Sequence, residues 1–181
     1  MKYYDRQVVF QEVPNEISLA YSITGCDLQC KGCHSAFTWD GTMGTELTVI
    51  GLVNDLEKYG SLVSCVLFYG GEWHEDQLIQ LLSVARRNYN LKTCLYTGRE
   101  TVSDKILTHL TFVKTGRWIE ELGGLDSPTT NQVLRIAHSG EILNHYFINN
   151  NTKRSKTEDD TVEQNTTREE NQVHTRLSGI G

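Results

Sequence analysis

The chain has 181 residues, an apolar fraction of 38% and a formal net charge of −6. That suffices for one domain with a real hydrophobic core. It argues against a nucleic-acid surface, since no basic run interleaved with aromatics occurs, and against a membrane span, since no stretch nears the roughly 20 apolar residues a bilayer-crossing helix needs.

The first residues, MKYYDRQVVFQEVP, lack the apolar stretch of a secretory signal. The expected compartment is a reducing cytoplasm, where clustered cysteines serve metals or catalysis rather than disulfides. VVFQEVP at residues 8–14 reads as a short edge strand or arm, and ISLAYSIT at residues 17–24 as a central strand running directly into the cysteines. From Thr45 to Tyr59 the pattern predicts a helix, with Leu47, Ile50, Val53 and Leu56 at three-residue steps and Gly60 as its stop. SCVLFYGGE is an apolar strand ending in two glycines, EDQLIQLLSVARRNY an amphipathic helix, and LKTCLYTGR another strand ending at a glycine. Residues 101–110 predict a short helix, LTFVKTG a further strand, NQVLRIAH a last one, and GEILNHYF an irregular or strand-like end. Near Asn149 the composition shifts to charges of both signs with isolated apolar residues. Such a segment cannot bury enough surface to offset its ordering entropy. The working domain is therefore expected at residues 1–148, with 149–181 a disordered polar tail or at most a transient helix.

Alternating strands and helices imply an α/β fold with a mostly parallel sheet. Four or five such units are too few for an eight-stranded barrel, so an open, partial (β/α) barrel is expected. Ligands of these folds bind at the carboxyl ends of the strands. Three segments leave a strand directly: the cysteines, then Gly70-Gly71-Glu72, then Thr97-Gly98-Arg99. They should converge on one mouth.

GCDLQCKGCH carries Cys26, Cys30 and Cys33 in the spacing C-x3-C-x2-C. Thiolates select zinc, copper(I) or iron–sulfur clusters. A structural zinc normally takes four protein ligands, and His34, adjacent to Cys33, is poorly placed to join the same tetrahedron. Cys65 and Cys94 sit in apolar strand contexts and read as core thiols. Three thiolates without a fourth point to a four-iron cluster with one iron left for a substrate or cofactor, unlike the four-cysteine ferredoxin pattern. Spacing alone leaves zinc as the alternative. In GGE, two glycines let the backbone approach a ligand closely, and Glu72 is a candidate acceptor for a ligand ammonium or a brace for its loop.

C-x3-C-x2-C after the first main strand, with GGE after the second, resembles the radical S-adenosylmethionine superfamily. The resemblance implies that Cys26, Cys30 and Cys33 hold one 4Fe-4S cluster with an open iron site for S-adenosyl-L-methionine. It also implies a cofactor pocket built from Gly32, Gly70, Gly71, Glu72, Tyr96, Thr97 and Gly98. Within the superfamily the chain looks like the activating proteins of anaerobic (class III) ribonucleoside-triphosphate reductases. That likeness rests on VVFQEVPNEISLAYSITGC, CKGCHSAFTWD, FYGGEW, LYTGRE and GGLDSPTTNQ. It implies an oxidoreductase that cleaves S-adenosylmethionine reductively and generates a glycyl radical on the reductase large component, with reduced flavodoxin or a similar carrier as electron donor. Arg99, Arg117 and Trp118 are candidate docking residues for that partner, because arginine and aromatics are favoured at interface hot spots. Two positions depart from the wider superfamily: Gly32 stands where an aromatic often precedes the third cysteine, and Trp73 follows GGE in place of proline. Gly32 agrees with the reductase activases. The alternatives are another small radical S-adenosylmethionine enzyme, acting on a different glycyl-radical enzyme or as in deazapurine synthesis, and a noncatalytic structural zinc module.

Overall fold

The structure, a computed structural model, describes residues 1–148; the expected polar tail lies outside the described residues. The chain divides into two units, Met1–Asn144 and His145–Gly181, and the fold and site belong to the first.

That unit is a mixed α/β fold. Its strands are β1 (Lys2–Val9), β2 (Ser18–Ile23), β3 (Thr45–Glu46), β4 (Cys65–Tyr69), β5 (Lys92–Tyr96), β6 (Phe112–Thr115) and β7 (Val133–Ile136). They form one seven-stranded sheet in the order β3-β1-β2-β4-β5-β6-β7. The four central strands β2, β4, β5 and β6 run parallel. The margins are antiparallel: β1 on β2, β3 on β1, and β7 on β6. Helices α1 (Val49–Tyr59), α2 (Glu75–Tyr89) and α3 (Asp104–Leu107) lie in the crossovers between the parallel strands.

Alternate strand residues build the core. Leu19, Tyr21 and Ile23 of β2 join Val66 and Phe68 of β4, Leu95 of β5 and Val113 of β6 in one cluster, which Leu52 and Leu56 of α1 and Leu78, Leu81 and Leu82 of α2 complete. Ala20, Leu67 and Cys94, of opposite parity on the same strands, are buried as well. Burial on both faces explains why these strands read as continuous apolar runs. The helix α2 falls where its sequence predicts it. Glu75 and Asp76 occupy its first turn and Arg86 and Arg87 its last, matching the helix dipole, and Asn90 ends it in a left-handed conformation.

Three expectations need correction. The end expected to be irregular or strand-like in GEILNHYF is helical at residues 145–148. The first strand is Lys2–Val9, so the segment expected at residues 8–14 is mostly loop. Its half-buried pattern mixes Asp5 and Arg6 with tyrosines and valines, which hides a strand that pairs with β2 along its length. The helix expected from Thr45 starts only at Val49, where the Thr48 side chain caps it by accepting from the Gly51 N–H at 3.0 Å. Thr45 and Glu46 pair with β1 instead. Its apolar face also differs: Ile50 is 72% exposed, whereas Leu52 and Leu56 are buried. Steps of three drift around a helix of about 3.6 residues per turn; Val49, Leu52, Leu56 and Tyr59, alternating threes and fours, share the buried side.

Candidate functional site

The four parallel strands end on one edge of the sheet, and the loops leaving them surround a cavity of about 190 Å³. Cys26, Cys30 and Cys33 come from the loop after β2; Gly70, Glu72 and Trp73 from that after β4; Tyr96, Thr97 and Gly98 from the end of β5; Lys114 and Trp118 from the end of β6. The convergence expected from the sequence is present, with a fourth strand contributing.

The cysteine loop is closed on itself. Thr38, at the end of the short 3-10 turn Ala36–Thr38, offers its carbonyl to the N–H groups of Gly25 and Cys26 at 2.7 and 3.2 Å. The Cys33 N–H donates to the Cys30 carbonyl at 3.1 Å, and the Ser35 N–H to Cys33 Sγ at 3.4 Å. Cys30 is buried, and Cys26 and Cys33 are half-buried. Burial pushes the Cys26 thiol up, and the negative charges of Glu72 and the other two cysteines add to the shift. Cys65 and Cys94 stand apart, fully buried in β4 and β5, with burial raising Cys65 to about 12 and Cys94 well above the usual thiol range.

Gly70 and Gly71 both have left-handed backbone, with φ of 83° and 105°. At Gly70 an added Cβ would meet Trp73 Cη2 at 2.6 Å, so glycine there lets the indole lie against the turn. Gly71 is not on the cavity wall; it backs the turn against Ile23 and the Met1 sulfur, each 3.4 Å from where its Cβ would stand. The Glu72 side chain is only 8% exposed. Its Oε1 accepts from Thr97 Oγ1 at 2.5 Å and lies 3.7 Å from Arg99 Nε, while Oε2 is buried without a partner. Burial raises this carboxyl, with the Thr97 bond and the Arg99 charge pulling the other way.

The sequence-predicted docking residues are placed unequally. Arg99 Nη2 donates to both carboxylate oxygens of Asp27, at 2.8 and 2.9 Å, tying the third loop to the cysteine loop. Arg117 is exposed and donates to the Leu28 carbonyl at 3.3 Å. Trp118 lines the cavity with its ring 4.5 Å from that of His34. Gly32 is exposed at the rim and does not line the cavity; its Cβ would stand 3.4 Å from Trp118 Nε1.

Sequence reasoning missed Lys114. It is buried on the cavity wall, and its Nζ donates to the Gly116 carbonyl at 3.0 Å. Burial lowers its pKa to about 8, while Cys30 and Cys33 pull it up. The signal available was a lone lysine inside the apolar run LTFVKTG. The DSPTTNQ segment braces this fourth loop: Asn131 Nδ2 holds the Arg117 carbonyl at 3.0 Å, and the Asn131 carbonyl would lie 2.7 Å from a Cβ at Gly116, whose φ is 95°.

Three soft thiol donors on one wall, in C-x3-C-x2-C spacing, suit an iron–sulfur cluster. Among the described residues no three His, Cys, Asp or Glu side chains are gathered so as to hold a single metal ion, and no helix is long and apolar enough to cross a membrane. A family model described as a 4Fe-4S single cluster domain matches residues 17–131, which take in the three cysteines and all four cavity-forming loops. No curated protein matches the chain.

Proposed function

We propose, for a chain that belongs to the family of 4Fe-4S single cluster domains, that the cavity at the strand ends is a radical S-adenosylmethionine site and that the protein activates an anaerobic ribonucleoside-triphosphate reductase. Cys26, Cys30 and Cys33 would hold the cluster, leaving its open iron site for S-adenosyl-L-methionine. The observation that carries this reading is the meeting in one cavity of three thiols, Gly70 of a left-handed Gly-Gly turn, Glu72 with its unpartnered buried carboxylate oxygen, and the Thr97-Gly98 strand end.

Each feature has a task there. Glu72 Oε2 lacks a partner inside the protein, and the ammonium of the cofactor's methionine end would supply one. Lys114 places a positive charge beside Cys30 and Cys33, opposing the negative charge of a thiolate-bound cluster. Tyr96, Thr97 and Gly98 bound the side on which the adenosine lies. The parallel strands belong on this reading to an open, partial (β/α) barrel of the radical S-adenosylmethionine type.

The bound groups supply the hard chemistry. When bound, the cluster and S-adenosyl-L-methionine would supply one-electron reductive cleavage, fed by a carrier such as reduced flavodoxin, and hydrogen-atom abstraction from a glycine of the reductase large component. The protein holds, orients and shields. Exposed Arg117, next in the chain to the cavity-lining Trp118, would face the partner, with Arg99 supporting that face through its pair with Asp27.

The test mixes anaerobically reconstituted protein, S-adenosylmethionine, a reductant and a candidate class III reductase, and looks for the glycyl radical by electron paramagnetic resonance. A radical on the reductase, dependent on all three additions, is the expected result. Cofactor cleavage without a radical on any reductase would move the protein to another radical reaction. A colourless zinc protein in place of a brown one with about four irons would remove the cluster itself.

A further inference from the structure

We infer that Trp118 donates its indole N–H to the sulfur atoms of the cluster at the Cys30–Cys33 turn and thereby raises the cluster's reduction potential. This rests on the cluster standing on the three cysteines, as proposed above, and goes beyond it in assigning Trp118 to the cluster.

Trp118 Nε1 is buried and has no hydrogen-bond partner. Leaving a buried N–H unpaired costs on the order of 1–3 kcal/mol, so such a group in a folded protein calls for an absent partner. The surroundings say on which side that partner stands. Trp118 lines the cavity at the strand ends together with Cys30 and Cys33, and a second surface hollow together with Cys30 and Lys31. A Cβ at Gly32, between those two cysteines, would stand 3.4 Å from Nε1. The indole nitrogen therefore lies beside the C-x2-C turn, at contact distance from where a Cβ at Gly32 would stand. Glu120 Oε2 would lie 3.2 Å from the same Cβ, yet it does not accept from the indole. His34 closes the ring from outside at 4.5 Å.

Two other indoles are also unpartnered. Trp39 does not line the cavity. Trp73 also lines the cavity, but its Nε1 lies 3.2 Å from the Cβ position of Gly25, next to Cys26 and not at the Cys30–Cys33 turn. An N–H aimed at thiolate or sulfide sulfur binds the more negative, reduced cluster more tightly. Hydrogen bonds to the sulfurs are among the features that set cluster potentials.

The experiment compares cluster-loaded wild type with W118F in redox titrations followed by the resonance of the reduced cluster. W118F should show about a tenfold lower reduced-to-oxidised ratio at a fixed poise, a shift of about 59 mV to more negative potential for one electron. An unchanged potential with a full iron complement overturns the assignment. If W118F does not retain its cluster, protein labelled with 15N-indole tryptophan decides. A nitrogen hyperfine coupling in the reduced cluster that persists in W73F supports Trp118, and its absence from labelled W73F overturns it. Wild type that binds no cluster at all sinks the underlying site, which iron analysis shows before any titration.

Discussion

Thr97 Oγ1 donates to Glu72 Oε1 at 2.5 Å, across the gap between the ends of β4 and β5. The bond uses one carboxylate oxygen and fixes the side chain, leaving Oε2 buried and without a partner on a residue that lines the cavity. Two neighbouring parallel strands thus present a single oriented acceptor, which neither loop would position alone.

The first prediction concerns that acceptor. Glu72→Gln should weaken S-adenosylmethionine binding to the cluster-loaded protein by about tenfold to a hundredfold, as expected for loss of a charge-assisted hydrogen bond of roughly 1.5–3 kcal/mol. Iron content should not change. Stability should move the other way. Burial raises the folded-state carboxyl above its unfolded value, so the folded protein holds the extra proton between the two. The stabilisation is complete below the unfolded pKa and is lost as pH rises through the folded one. Thermal melts of cluster-free protein across the acid to neutral range should show this decline, with a shallower slope in Glu72→Gln.

Lys114 should give the opposite pH signature. Its folded pKa is about 8 against an ordinary 10.5. Its contribution is fully present above the unfolded pKa and is lost as pH falls through the folded one. At neutral pH the buried ammonium is a cost of the order of 3 kcal/mol. Lys114→Met should therefore raise the melting temperature of cluster-free protein at neutral pH, with the difference from wild type shrinking between about pH 8 and 10.5. The same variant should lose its cluster faster to a chelator, because the cation beside Cys30 and Cys33 is gone. Equal rates of iron loss would show that Lys114 has no part in holding the cluster.

The five cysteines should divide cleanly. Cys26→Ala, Cys30→Ala and Cys33→Ala should each abolish the iron complement and its visible absorption. Cys65→Ala and Cys94→Ala should keep both, at a stability cost of about 1–2 kcal/mol from the small cavities left in the sheet. Iron analysis and visible spectra after anaerobic reconstitution measure this directly.

How far the sequence could be read follows from what determines each part. The elements β2, β4, α2, β5, β6 and β7 were legible because their apolar periods and glycine stops are local. Their shared carboxyl edge was legible because crossover chemistry brings parallel strand ends together. The strand β1 was not, since half of it faces solvent and its Asp5 and Arg6 break the apolar pattern. Ile50 was misread because only α1's partners decide which side of a helix is buried. Lys114 and the inward turn of Trp118 depend on β6 lying between β5 and β7, a neighbourhood that no window of LTFVKTGRW contains. Residue types marked the three-thiol loop and the Gly-Gly turn, whereas the unpartnered buried atoms of cavity-lining residues became visible only in three dimensions.

A last prediction tests whether Gly98 serves the cavity by making room for the cysteine loop. An added Cβ would come 2.6 Å from Leu28 Cδ1, and Leu28 lines the cavity between Cys26 and Cys30. The clash is with the end of a flexible side chain, and Gly98 does not have left-handed backbone. Gly98→Ala should therefore fold normally but push Leu28 into the space the cofactor needs, lowering S-adenosylmethionine affinity by about tenfold, roughly 1.4 kcal/mol. Leu28→Ala alone should have a small effect. The double variant should bind about as well as Leu28→Ala, giving a favourable coupling of about 1.4 kcal/mol in the double-mutant cycle. Simple additivity would mean that Gly98 acts on the cofactor directly, through its own backbone, and not through Leu28. Binding isotherms of the four proteins, each with its cluster quantified, distinguish the two.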